Sequence, residues 1–341
     1  MTKRTRLFLL ISIGVLVLGL GTGLLASYVG FQGLTIVGSD GPDELAYVPQ
    51  DSRLVAFANV RDVMNSDFRH KLQALQPDRT ARTNDFQAKT GVNIESDVDT
   101  VVVSLGAASE MGPPLVIARG RFDAVRIEGL MREQGGEVED YKGKRLVTVA
   151  GDDHPFGVAF VEPGLLAFGT SDAVRRAIDT KSDARANITT NTELMKIVRD
   201  IDDGNAWAVG RFDALAARGR IPKEVAGQIP PITWFSASGH IDSGVEGLLR
   251  AEVSNDQAAN DLREVIRGFM ALARLQTRQN PGMSAMLDSL RLGGDGKTVS
   301  VGFTVPPEMV DVLASMQGRG RAAGPRAPRG PRPGRPQAPV F

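Results

Sequence analysis

The chain of 341 residues contains no cysteine. That absence removes a disulfide framework, a lipid-modified N-terminal cysteine, a thiolate nucleophile and every cysteine-based zinc or iron–sulfur site. Histidine is nearly as scarce. His70, His154 and His240 are the only three, far apart and without HxxxH or HExxH spacing, so a histidine metal or base site would require the fold to gather them. No Gly-x-Ser-x-Gly elbow occurs, nor a Ser-x-x-Lys with the partners that a penicillin-recognising enzyme needs. No cofactor is implied, and nucleophilic catalysis has no foothold.

What is present begins at the N-terminus. Leu7 to Val29 form a 23-residue apolar run without one charge. A helix of that length reaches roughly 35 Å, enough to cross a hydrocarbon core of about 30 Å with some tilt. Lys3, Arg4 and Arg6 precede the run, whereas Asp40, Asp43 and Glu44 follow it before the next basic residue, Arg53. That asymmetry predicts a cytoplasmic N-terminus (1–6), a membrane span (7–29) and delivery of the remainder across the membrane. A cleaved signal peptide is the rival reading. Its apolar core is shorter, about 7 to 15 residues, and Leu24-Leu25-Ala26 and Leu25-Ala26-Ser27 both lack the outer small residue that cleavage prefers. Gly19 and Gly23 make a GxxxG pair that would permit a homodimer through the span, although glycine is common in such helices anyway.

The zero net charge conceals a separation. Three basic residues lie at the start and six arginines in the tail, Arg319, Arg321, Arg326, Arg329, Arg332 and Arg335, leaving a net −9 on the body between. An acidic body argues against a nucleic-acid-binding face. Residues 318–341 also hold six prolines and nine glycines or alanines, so they cannot bury enough surface to fold and read as a mobile cationic tail. Those arginines are candidate contacts for an anionic partner, such as lipid headgroups or an envelope polymer. Arg-Gly and Arg-Pro segments bind RNA in other settings, but the predicted topology keeps this tail from nucleic acid.

Between the ends lie about 270 residues with 42% hydrophobic and 23% charged composition over the chain, an ordinary globular balance sufficient for two domains or one large one. Residues 30–47, with four glycines, read as a stalk. Leu54 to Val60 read as a strand, after which Asp62 opens a helix carrying Met64, Phe68, Leu72 and Leu75. That strand-then-helix phrase returns at Leu115–Val125 and Ala206–Leu215, which share Gly-Arg-Phe-Asp-Ala, and more loosely at Leu165–Val174. Its aspartates (Asp62, Asp123, Asp172 and Asp213) suit helix capping better than catalysis, since four similar copies are spread along the chain.

Further strands are predicted over Asp99–Leu105, Lys144–Ala150 and Val299–Val305. Hairpins are predicted for Val158–Val161 with Leu165–Phe168 and for Ile232–Ile241 with Val245–Val253. Capping boxes at Thr190–Glu193 and Ser254–Gln257 announce helices, the second the longest. The element order predicts an α+β fold of tandem ferredoxin-like (βαββαβ) antiparallel-sheet units, 48–181 and 188–317, joined near the Pro163 hairpin, with one continuous sheet and two separate sheets both left open.

Other motifs are weaker. Gly293-Gly294-Asp295-Gly296-Lys297-Thr298 resembles a phosphate loop, but Arg291 stands where its first glycine is needed and a strand follows where a helix should. Glu95-Asp97-Asp99, Asp152-Asp153 and Asp200-Asp202-Asp203 lack the spacing of a calcium loop. Asn187-Ile188-Thr189 matches a short glycosylation sequon.

Val48-Pro49-Gln50-Asp51-Ser52, an apolar strand, Asn59-Val60 and a helix with Asn65-Ser66 together resemble the opening of a group of uncharacterised bacterial envelope proteins. These place a membrane segment before a Val-Pro-x-Asp-Ser/Thr lead-in to repeated α+β units. The resemblance covers 48–75 and implies placement and architecture but no mechanism, so no functional residue is carried over. It places the chain in a bacterial inner membrane, with its main domain periplasmic or extracytoplasmic. The function expected is a non-catalytic binding or scaffolding role toward an envelope protein or anionic polymer. The alternative is a cofactor-free extracytoplasmic hydrolase using carboxylates brought together by the fold.

Overall fold

The computed structural model describes residues 41–74, 87–88, 90–106, 113–151, 154–183, 186–201, 204–212, 230–277, 281–305 and 307. Leu7–Val29, residues 30–40 of the stalk and the six tail arginines lie outside that set. Among the described residues no helix is long and apolar enough to cross a membrane.

Among the described residues twelve strands join in one antiparallel sheet. They are β1 (Leu54–Asn59), β2 (Val98–Leu105), β3 (Leu115–Gly120), β4 (Glu137–Tyr141), β5 (Lys144–Val149), β6 (Phe156–Glu162), β7 (Leu165–Thr170), β8 (Ala206–Arg211), β9 (Ile232–Ile241), β10 (Val245–Val253), β11 (Arg291–Gly293) and β12 (Thr298–Val305). Their order across the sheet is β11-β12-β10-β9-β8-β1-β2-β3-β7-β6-β5-β4. At about 4.8 Å per strand the sheet is roughly 53 Å wide. The helices are α1 (Val60–Asn65), α2 (Asp67–Ala74), α3 (Ile94–Asp97), α4 (Ala124–Glu133), α5 (Ser171–Ser182), α6 (Thr192–Arg199), α7 (Asp256–Thr277) and α8 (Pro281–Ser289).

The mixed α+β class and the antiparallel sheet agree with the sequence reading. The strand order of tandem ferredoxin-like units does not. A split βαβ unit sets another strand between the two that flank its helix, whereas β1 pairs directly with β2 and β2 with β3, and β8, β9 and β10 also pair in chain order. Nor do the halves meet at the Pro163 hairpin. They meet along β1 and β8, from Leu54 opposite Gly210 to Ala58 opposite Ala206, and become one sheet. Both orders satisfy the same succession of strands and helices, so only pairing separates them.

Alternation along the strands divides the core in two. Val55, Val102, Ile117, Leu165, Ala167, Trp207 and Val209 point to one face and pack with Val174, Ala177 and Ile178 of α5 and Leu194, Met195 and Val198 of α6. Ala56, Val103, Val116, Ala118, Leu166, Phe168 and Ala208 point to the other, where Ile127 and Met131 of α4 lie against them. By register, Ala208 shares its face with Ala237, Leu249 and Val301. There Ala259 and Leu262 of α7 pack on Val253 and Val299. At the end where β1 finishes and β2 begins, here termed the base, Val63 of α1 and Phe68 of α2 pack with Ile241, Val245 and Val305.

The recurring phrase has a structural explanation. At Gly120 an added Cβ would lie 2.0 Å from the Asp97 carbonyl oxygen, and at Gly210 2.6 Å from that of Arg53. Each carbonyl accepts instead from the following amide, Arg121 or Arg211, at 2.7 and 2.8 Å. The glycine of Gly-Arg thus admits a neighbouring carbonyl to the end of a strand. Capping is less uniform than the phrase suggests. Asp123 does cap α4, accepting from the Arg126 amide at 3.0 Å. The caps of α1 and α5 are instead Asn59 and Thr170, while Asp62 and Asp172 sit inside the first turn. Asp213 lies outside the described residues. A cap must be the last extended residue, and in those two copies the helix begins earlier than the aspartate. For the same reason Asn191 and Asn255 cap α6 and α7. Glu193, read as half of a capping box, instead accepts from Trp234 Nε1 at 2.8 Å.

Candidate functional site

A group of interacting ionisable side chains lies at the base, around Asp43–Tyr47. Residues Asp43–Tyr47, assigned to the stalk from sequence, form a 3-10 turn that buries Leu45 and Tyr47. Their apolar contacts with the sheet bring Glu44 down beside β2 and β3. Glu44 is 4% exposed and accepts from Arg119 Nε and, at 3.2 Å, from Thr100 Oγ1. Next to it the Tyr47 hydroxyl donates to Glu162 Oε1 at 2.7 Å, and Lys181 Nζ lies 3.4 Å from the same oxygen and 4.9 Å from the Tyr47 ring centroid.

The electrostatics follow from these contacts. Burial, then the Glu162 carboxylate, push the Tyr47 phenol well above its ordinary value. The Tyr47 hydrogen bond, and after it Lys181, hold Glu162 below the usual carboxylate range. The Glu44 hydrogen bond raises Arg119. A Tyr47 phenol held protonated and a Glu162 carboxylate held ionised by that phenol and Lys181 are poorly matched to proton transfer near neutrality. The cluster therefore acts as a lock that fastens the Asp43–Tyr47 turn to β2, β3, β6 and α5.

Its pH dependence has a definite sign. Because the folded-state pKa of Glu162 is depressed, its contribution is present above the ordinary carboxylate range and is lost as pH falls through the folded value. Glu162→Gln is expected to flatten the acid limb of a thermal-stability profile. With the Glu162 side chain 36% exposed, solvent screening holds the difference to about 0.5 kcal/mol. Melting at neutral pH and near pH 4, compared with the unchanged chain, checks this.

The histidines are not gathered. His154 precedes β6 and His240 lies on β9, six strands away in the sheet order, roughly 29 Å at the usual spacing. His70 is on α2, and all three are exposed. Among the described residues no group of three or more histidines and acids stands ready for a metal ion. In the first acidic cluster each carboxylate has a basic neighbour: Glu95 takes Arg69 at 3.0 Å, Asp97 has Arg121 at 3.9 Å, and Asp99 pairs with Arg61. Asp152-Asp153 and Asp202-Asp203 lie outside the described residues, and Asp200 caps α6.

The glycine-rich stretch 293–298 is the turn between β11 and β12. Its carbonyls at Gly294, Gly296 and Thr298 accept from Arg263 Nη2 at 2.9, 3.4 and 2.9 Å, so a cation, not a phosphate, occupies its concave side. Asn187 is 6% exposed, and its Oδ1 accepts from the Thr189 amide at 3.1 Å. A side chain so enclosed is a structural cap, not an accessible glycosylation acceptor.

One surface feature escaped the sequence reading. Along the second half of α7, Phe269, Leu272 and Leu275 are 44%, 56% and 58% exposed. The 3.6-residue pattern assigned Phe269 and Leu272 to the buried face, but α7 is longer than the sheet beneath it can cover. Its contacts with Val253 and Val299 involve the first half, Ala259 and Leu262.

These features define a mixed α+β protein built on one wide antiparallel sheet. No family model matches the sequence, and no curated protein does. Among solved structures, crystal form III of TP0453 is similar with a TM-score of 0.46 at 9% identity, covering 81% of this chain and 100% of that one. Crystal form I of TP0453 gives a TM-score of 0.42 at 10% identity, covering 81% of this chain and 98% of that one.

Proposed function

We propose that this chain is a single-pass, membrane-tethered protein facing away from the cytoplasm, which serves the bacterial envelope as a binding or scaffold module without catalysis. The observation that carries the non-catalytic reading is the dispersal of reactive groups. His154 and His240 stand six strands apart, and the best-buried ionisable cluster is held together by mutual ion pairs. Supporting the placement are the uncharged run Leu7–Val29 and the basic residues before it. The proposed contacts for an anionic polymer or lipid are Arg319, Arg321, Arg326, Arg329, Arg332 and Arg335, with a partner protein engaged by the folded body.

The placement is tested by fusing alkaline phosphatase or green fluorescent protein after Phe341. Phosphatase activity with a dark fluorescent fusion is the expected result. A fluorescent fusion with inactive phosphatase would overturn the placement and reopen nucleic acid as a partner of the tail. Crosslinking in intact cells then identifies neighbours.

A further inference from the structure

We infer that the exposed ridge of α7, Phe269, Leu272 and Leu275, rests on the surface of a bilayer that carries anionic headgroups. This rests on the membrane-tethered reading above and names the partner for one face of the folded body. Three observations converge on it.

The first is the ridge itself. Three large apolar side chains within two turns of one helix are each more than two-fifths exposed. Such a grouping on a soluble surface marks an interaction site. Gly268 lies beside it, and a Cβ there would meet nothing within 4 Å, so the helix surface is open around the ridge as well.

The second is charge. Between Glu264 and Arg291 the chain holds four arginines, Arg267, Arg274, Arg278 and Arg291, against two acids, Glu264 and Asp288, which pair with Arg267 and Arg274; the stretch is left with a net +2 although the body as a whole carries −9. Apolar residues flanked by arginine suit an anionic interface, where the side chains enter the headgroup boundary and the guanidinium groups meet lipid phosphates.

The third is position. Helix α7 starts beside the end of β10, at the edge of the sheet opposite the base, and its 22 residues span about 33 Å. Its second half descends toward α8, where Arg274 Nη2 donates to the Leu287 carbonyl at 3.4 Å. Met286 of α8 packs with Ile241, Val245 and Val305 at the base. The turn Asp43–Tyr47 is fastened at that same end through Glu44 and Thr100. Gly30 to Pro42 can extend at most about 45 Å, so a chain anchored through Leu7–Val29 keeps its base near the bilayer, and the ridge, on the opposite face of the sheet from Asp43–Tyr47, lies toward that same end.

The test exploits the lack of cysteine, since any cysteine introduced is unique. The full chain is reconstituted in vesicles of phosphatidylcholine with about 30% phosphatidylglycerol, a typical anionic surface. An environment-sensitive fluorophore is placed on Leu272→Cys, on Asp172→Cys at the exposed start of α5, and on Leu16→Cys within the apolar run. With brominated lipid the Leu272→Cys label is expected to lose about half of its emission, and the Asp172→Cys label to be unaffected. Replacing phosphatidylglycerol by phosphatidylcholine, or adding Phe269→Ser with Leu275→Ser, is expected to abolish most of that quenching. The fold tolerates those two changes because both side chains are exposed.

Quenching at position 16 without quenching at 272 would overturn the ridge assignment and leave the anchor standing. Quenching at 272 without quenching at 16 would support the ridge and remove the anchor. Self-quenching between labelled copies at 272, with no effect of brominated lipid, would make the ridge a contact between copies and overturn the assignment.

Discussion

Trp207→Ala is expected to destabilise the folded body by about 3–5 kcal/mol and to lower its melting temperature by roughly 10 °C. Trp207 is fully buried on β8, opposite Phe57 of β1, with ring centroids 5.7 Å apart. Its indole is shared by strands from both halves of the chain, and the cluster around it reaches α5 and α6. The replacement leaves a cavity that flanking strands, held by hydrogen bonds on both sides, cannot collapse to fill. Since the halves meet along β1 and β8, one cooperative transition should shift as a whole, whether followed by far-ultraviolet circular dichroism or by tryptophan fluorescence. A portion of the signal melting at the unchanged temperature would show that the β1–β8 seam does not couple the halves.

The second large effect is expected at Glu44. Glu44→Ala should cost about 2–3 kcal/mol, because it leaves Arg119 without its hydrogen-bonded carboxylate and Thr100 without an acceptor. Arg119 keeps some access to water, with 36% of its side chain exposed, which sets the value below that of a fully enclosed pair. Glu44→Gln retains an acceptor oxygen and should recover part of the loss. Denaturant unfolding measures both, and limited proteolysis offers a second readout. With the lock broken, cleavage near Asp43–Tyr47 should accelerate while the sheet stays resistant. Equal resistance in the two variants and the unchanged chain would refute the role assigned to Glu44.

If the ridge of α7 lies on lipid, the lock gains a further purpose. It would hold the anchored end of the chain rigidly against the base, so that the ridge is presented to the bilayer and does not tumble on a slack tether. Loosening Glu44 should then reduce brominated-lipid quenching at position 272 without changing it at position 16, an effect on orientation that a purely local loss of stability would not produce.

Much of the architecture could be read from residue order. The hairpins Phe156–Glu162 with Leu165–Thr170 and Ile232–Ile241 with Val245–Val253 follow from apolar alternation and a short glycine-containing turn, both local properties. Other elements had weaker signals. β4 is Glu137–Tyr141, mostly exposed and rich in acids, so at the sheet's edge it needs little apolar pattern. β11 is three residues long. The polar lock had no signature at all, for Glu44, Thr100, Arg119, Glu162 and Lys181 are spread over more than a hundred positions and are united only by pairing across strands.

Local residue choice by itself determined where strands and helices run, that cysteine chemistry is absent, that one apolar stretch suits a membrane, and that the body is acidic between basic ends. Those properties depend on neighbours within a few residues, where turn chemistry and periodicity act directly. The tertiary structure alone decided that the halves form one sheet through β1 and β8, that the histidines remain far apart, that Glu44 is buried beside Arg119, and that the end of α7 outruns the surface beneath it. Each of these depends on which distant strand supplies the hydrogen bonds and on how far a packed face extends, and those free energies arise only when remote segments meet.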